Sequence, residues 1–118
     1  MYTSRRPVYS MIINITDNTL TLYEDNIYLK TYSIALGKEA TPTPLGRFKI
    51  ANKHRNPGGP YGVRWMGLSK RHYGIHGTNK PDSIGKDVSR GCIRLSNEDA
   101  IEVYDLVSIG SIVDIMEG

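Results

Sequence analysis

The 118-residue chain has a single cysteine, Cys92. An internal disulfide is therefore excluded, and stability must come from a buried core, which a chain of this length can supply as one domain. A lone cysteine fits a reducing or an oxidising compartment equally well, so cysteine usage does not locate the protein. Long apolar runs are also missing. Nothing approaches the roughly 18 apolar residues of a membrane span, and no integral membrane contact is expected. The opening MYTSRRPVYSMIINIT has two arginines but neither a continuous apolar stretch nor a small-residue cleavage site, so it is not expected to act as an export signal. No repeat, low-complexity tract or linker divides the chain, and residues 1–118 read as a single domain. Hydrophobic residues at 39% and charged residues at 23%, with a pI near 9.0, exclude disorder and describe an ordinary, mildly basic folded domain.

Acidic residues are absent from the middle of the chain. Between Ala40 and Pro81 stand Arg47, Lys49, Lys53, Arg55, Arg64, Lys70, Arg71 and Lys80 without one carboxylate, whereas Arg94 is followed by six acids and no further lysine or arginine. A groove built from the cationic segment would favour an anionic partner, either a carboxylate-rich small substrate or a nucleic acid. Scattered solvated charges are the plain alternative. Aromatics interleave with the basic residues at Tyr61, Trp65 and Tyr73, but no nucleic-acid recognition motif accompanies them, and no nucleic-acid partner is expected.

What is present is mostly strand pattern. SMIINITDNTLTLYEDNIYLKTYSIALG is rich in β-branched and aromatic residues and is cut by TDN and EDN into three runs, which predicts an antiparallel meander. KEATPTPLG must leave regular structure before RFKIANK resumes a strand. HRNPGGPYGVR, residues 54–64, is too long and too rich in glycine and proline for a tight turn, and is a candidate lid or binding loop. WMGLS and YGIHG read as buried strand segments. SNEDAIEVYDLVSIG changes period: Ser96 is the expected N-cap, Ala100, Ile101, Tyr104 and Val107 the inward face, and Gly110 the stop. SIVDIM closes the chain as a strand. The fold class is mainly β, a compact sandwich or barrel-like sheet with one principal helix after the cysteine.

Cys92 sits in SRGCIRLS. At its ordinary pKa of about 8.5 a thiol is only a few per cent ionised near neutrality, so a nucleophilic cysteine needs a base or a positive field. Arg90 and Arg94 flank it, and His76, at a strand end in YGIHG, is the candidate base, with His54 and His72 as alternatives. Gly91 permits a sharp turn through which the N–H groups of Arg90, Gly91 and Cys92 could converge as an oxyanion hole. A small buried thiol among core residues is the bland reading, but Ser89, Arg90, Gly91 and Arg94 are poor company for it. Three histidines and one cysteine could also make four zinc ligands, yet no short ligand spacing occurs, and no metal is expected.

Together, IHGTNKPDSIGKDVSRGCIRLSNEDAIEVYDLV resembles the signature of the L,D-transpeptidase catalytic domain, the YkuD-like family of peptidoglycan cross-linking enzymes. TPTPLGRFKI and NPGGPYGVRWMGLS resemble further family segments, so the likeness covers most of residues 10–116. It implies Cys92 as nucleophile, His76 as general base and the carbonyl of Gly77 as the group that orients the imidazole. Ser89 and Arg94 match motif positions, with Ser89 expected to support the turn and Arg94 to hold the loop or meet a substrate carboxylate. Tyr61 and Trp65 are expected to bind substrate or support the loop. Position 90 is histidine in many members and arginine here, so no imidazole role carries over to it.

The implied reaction is acyl transfer from a peptidoglycan stem tetrapeptide, with release of terminal D-alanine, to the side-chain amine of a second stem, giving 3-3 cross-links without a cofactor. Carbapenem-type β-lactams are implied as inhibitors, and the cell wall or envelope as the location. An L,D-carboxypeptidase using water as acceptor and a non-catalytic peptidoglycan-binding module are the alternatives.

Overall fold

A computed structural model describes residues 6–38, 42–89 and 91–118. Among the described residues ten strands and one α-helix follow in chain order: β1 Tyr9–Asn14, β2 Thr19–Glu24, β3 Ile27–Ser33, β4 Leu36–Gly37, β5 Gly46–Arg55, β6 Arg64–Leu68, β7 Gly74–His76, β8 Asp87–Ser89, β9 Ile93–Arg94, α1 Asn97–Leu106 and β10 Ile112–Met116; the third run of the meander is split into β3 and β4, and the short β8 and β9 were not expected. Eight strands form one sheet in the order β3-β2-β1-β10-β5-β6-β7-β9, and β4 pairs with β8 beside it. The meander is antiparallel as predicted, while β1 with β10 and β7 with β9 are parallel pairs.

Alternation within the strands sets which face is buried. Met11 and Ile13 on β1 stand opposite Leu22 and Leu20 on β2 and opposite Val113 and Ile115 on β10, so period-two patterning stacks all six on one face. They join Ile50, Met66, Ile75 and Ile93 in a single cluster. One core that unites residues from both ends of the sheet requires the sheet to curl, and the fold is a mainly β half-barrel. Burying each of these aliphatic side chains contributes about 1.5–3 kcal/mol.

The helix α1 packs on β6 and β7. Ser96 is its N-cap, with Oγ accepting the Asp99 N–H at 3.1 Å. Two details differ from the sequence pattern. The inward residues are Ala100, Val103, Tyr104 and Val107, and Ile101 is only half-buried. The helix ends at Leu106, before Gly110, because Lys53 from β5 places Nζ on the Tyr104 and Val107 carbonyls at 2.6 and 2.8 Å and so satisfies the last turn. Gly110, at φ 97, instead makes the turn into β10.

Candidate active site

The β5–β6 hairpin, the end of β7 and the β8–β9 turn meet at one edge of the half-barrel. Segment 54–64 is longer than a tight turn, as expected, but its ends are strand: Arg55 pairs with Arg64 and His54 with Trp65, leaving residues 56–63 as the loop. β7 lies between β6 and β9, which sets His76 between Trp65 and Arg94.

The His76 ring is almost fully enclosed, 2% exposed. Trp65 stacks on it at 5.6 Å between centroids and 16° between planes, and Tyr61 meets it edge-on at 5.1 Å and 87°. Trp65 is itself anchored by Nε1, which donates to Asn52 Oδ1 at 3.0 Å. His76 Nδ1 is 2.5 Å from the Gly77 carbonyl. A carbonyl can only accept, so Nδ1 carries the proton and Nε2 is left as the basic nitrogen. Burial drives the imidazole down to about 4, the Gly77 carbonyl pulls it up and the Arg94 charge pushes it further down.

Cys92 follows the turn residue Gly91, whose φ of 106 is left-handed territory, with Tyr73 too close for a side chain there. Ser89 Oγ bridges that turn, donating to the Cys92 carbonyl at 2.6 Å and accepting the Gly91 N–H at 3.2 Å. Sγ is 3.7 Å from the His72 carbonyl and within reach of the Gly74 N–H. Burial pushes the Cys92 thiol up, against the Gly74 amide and the Arg94 charge, which pull it down. Of the two flanking arginines expected to favour the thiolate, Arg94 is outweighed by burial and Arg90 lies outside the described residues. Burial thus disfavours the charged form of both groups, the thiolate of Cys92 and the imidazolium of His76.

Cys92, His76, Arg94, Ser89 and Tyr61 line one cavity of about 510 Å³ together with His72, Lys38 and Lys80. Among the described residues no carboxylate lines it. Such a site can acylate and deacylate a thiol while holding an anionic substrate.

A family model for the L,D-transpeptidase catalytic domain, YkuD, matches residues 8–115. The chain belongs to this family. The YkuD protein of Bacillus subtilis, itself named provisionally as an L,D-transpeptidase, is 55% identical over 107 residues, which cover 91% of this chain and 65% of that protein. The chain thus spans just under two thirds of that relative's length. L,D-transpeptidase 3 of Mycobacterium tuberculosis superposes with a TM-score of 0.84 at 22% identity, over 94% of this chain and 62% of that one. LdtMt1, solved in complex with imipenem, superposes at 0.80 and 24% identity, over 93% of this chain and 59% of that one. At such identities the likeness is one of fold.

Within this L,D-transpeptidase domain the structure corrects several expectations. The Gly91 N–H is committed to Ser89 Oγ and so is not free for an oxyanion, while Arg90 lies outside the described residues. The Cys92 N–H makes no hydrogen bond among the described residues. The cationic segment 40–81 does not form one groove: Arg47 pairs with Asp114, Lys53 caps α1, and Arg64 and Lys70 lie over Tyr104 and Tyr73. Only Lys80 of that segment reaches the Cys92 cavity, which takes its charge also from Lys38 and Arg94. Of the alternative bases, His72 lines the cavity but His54 lies in an adjoining one with Pro57, Tyr61 and Trp65. Among the described residues no three His, Cys, Asp or Glu side chains cluster as metal ligands would. Two residues that spacing did not signal are part of the frame: Asn52, which holds Trp65, and Asn97, which binds the backbone beside His76.

Proposed function

We propose that this domain is a peptidoglycan L,D-transpeptidase acting at the cell wall, with Cys92 as nucleophile and His76 as general base. The observation that carries the reading is the shared cavity, where a thiol, a neutral imidazole with Nδ1 already engaged and an arginine without an acidic partner among the described residues stand around one opening. His76 Nε2 takes the thiol proton as Sγ attacks the carbonyl carbon of the third stem residue. The tetrahedral intermediate collapses, the C–N bond to D-alanine breaks, and the imidazolium returns the proton to the leaving amine. An amine of a second stem then attacks the thioester carbon and gives its proton to His76, and the C–S bond breaks to restore the thiol.

Arg94 and Lys80 suit a donor with free carboxylates, and the Cys92 amide is the available donor for the oxyanion. Neutral thiol and neutral imidazole suit concerted proton transfer better than a preformed ion pair. The same thiol is the expected target of carbapenems. Purified tetrapeptide stems incubated with the protein should yield cross-linked dimers with release of D-alanine, read by mass spectrometry. Trimmed monomers alone would assign water as the acceptor and make the enzyme a carboxypeptidase; an unchanged substrate would overturn catalysis.

A further inference from the structure

Asn97 opens α1 and points back at the strand that carries the imidazole. Its Oδ1 accepts the Thr78 N–H at 3.0 Å and the Val63 N–H at 3.3 Å, and its Nδ2 donates to the Thr78 carbonyl at 3.0 Å. The Thr78 N–H and the Gly77 C=O are two ends of one peptide unit, and that carbonyl is the partner of His76 Nδ1. A continuous chain results, from Asn97 Oδ1 through the Gly77–Thr78 peptide to the imidazole. Resonance across the peptide couples its ends, so an acceptor on the N–H makes the carbonyl a better acceptor for Nδ1–H.

Space is reserved for this contact. A Cβ at Gly77 would stand 2.2 Å from Asn97 Oδ1 and one at Gly62 would stand 2.3 Å from it, so the oxygen reaches both amides only because both positions lack a side chain. Val63 hangs the end of the 56–63 loop on the same oxygen. That loop carries Tyr61, the edge-on neighbour of His76.

We propose that Asn97 is a positioning residue of the active site, orienting His76 through the Gly77–Thr78 peptide and tying the Tyr61 loop to the same frame. The assignment rests on His76 being the base of the reaction proposed above. Tyr61 from the loop meets the imidazole edge-on and the Arg94 charge from β9 acts on it, while Cys92, Lys38, His72 and Lys80 line the same cavity. None of these described residues is an acid, so Asn97→Asp retains the acceptor and adds a carboxylate beside the Gly77–Thr78 peptide.

The test compares Asn97→Ala, Asn97→Asp and Ser96→Ala with the parent protein. Ser96→Ala weakens the start of α1 without touching the relay and so reports a merely structural effect. In Asn97→Ala the His76 Nδ1–H resonance, followed by ¹⁵N NMR on the folded protein, should move upfield. The carbapenem acylation rate constant at saturation should fall about tenfold or more with half-saturation little changed. Asn97→Asp should recover part of that rate and shift the acid limb of its pH profile upward, whereas Ser96→Ala should keep the parent resonance and profile. Parent-like Nδ1–H and acylation in Asn97→Ala, or equal changes in Ser96→Ala, would overturn the role. A parent protein that carbapenem does not acylate would defeat the functional reading alone, and the Nδ1–H resonance would still decide whether Asn97 orients His76.

Discussion

His76 is shut between Trp65 and Tyr61, and its seclusion has a thermodynamic cost that pH reveals. The imidazole falls from an ordinary 6.5 to about 4 in the folded chain, chiefly because burial disfavours the charged ring. Below pH 6.5 the unfolded chain binds a proton that the folded chain refuses. Stability is therefore fully present above that value and is lost as pH falls towards and through about 4, by on the order of 3 kcal/mol from this one group. Denaturant unfolding of the parent and of His76→Gln should show it, since the substitution removes the titration and leaves the other acids alone. The parent's stability relative to His76→Gln should drop by that amount between about pH 7.5 and about pH 4. A difference that stays constant would mean the ring is solvated and freely protonated. The same seclusion leaves Nε2 in its basic form near neutrality, which the proposed chemistry requires.

The β8–β9 turn holds the sulfur, and Gly91 is its hinge. A methyl at this residue would meet Tyr73 Cε1 at 2.6 Å and the Pro42 carbonyl at 3.4 Å while the backbone stays at φ 106. Gly91→Ala should therefore cost about 1–3 kcal/mol and slow labelling of Cys92 by iodoacetamide. Gly85→Ala is the control, because Gly85 shares the left-handed backbone, at φ 89, but has nothing within 4 Å of the added methyl. Thermal unfolding should place Gly91→Ala below Gly85→Ala, and equal losses would mean that Tyr73 does not confine the turn. Elements of this kind were largely legible in the sequence. Alternation in the meander, the Ser96 cap and the glycine before Cys92 are local signals, and local physics decides them. The end of α1 was not, because the group that terminates it, Lys53, comes from a strand far away in the chain.

At the scale of the whole molecule, what could not be read is what the curled sheet brings together. The run of basic residues from 40 to 81 looked like one cationic groove, but alternation throws neighbouring side chains to opposite faces and several find partners elsewhere. Among the described residues the positive lining around Cys92 comes from Lys38, Lys80 and Arg94, three separate parts of the chain. Tyr61 and Trp65 were legible as site residues only through resemblance, and their packing on His76 follows from the β5–β6 hairpin lying beside β7. Asn97 carried no signal, since a helix-opening asparagine next to a serine cap is commonplace. The central claim is that the Cys92 thiol, served by His76, becomes covalently acylated. Intact-mass analysis of the folded protein after incubation with a carbapenem tests it most directly. The account predicts one adduct per chain, lost in Cys92→Ala and formed about a hundredfold more slowly in His76→Ala; an unmodified parent, or an adduct that persists in Cys92→Ala, would contradict it.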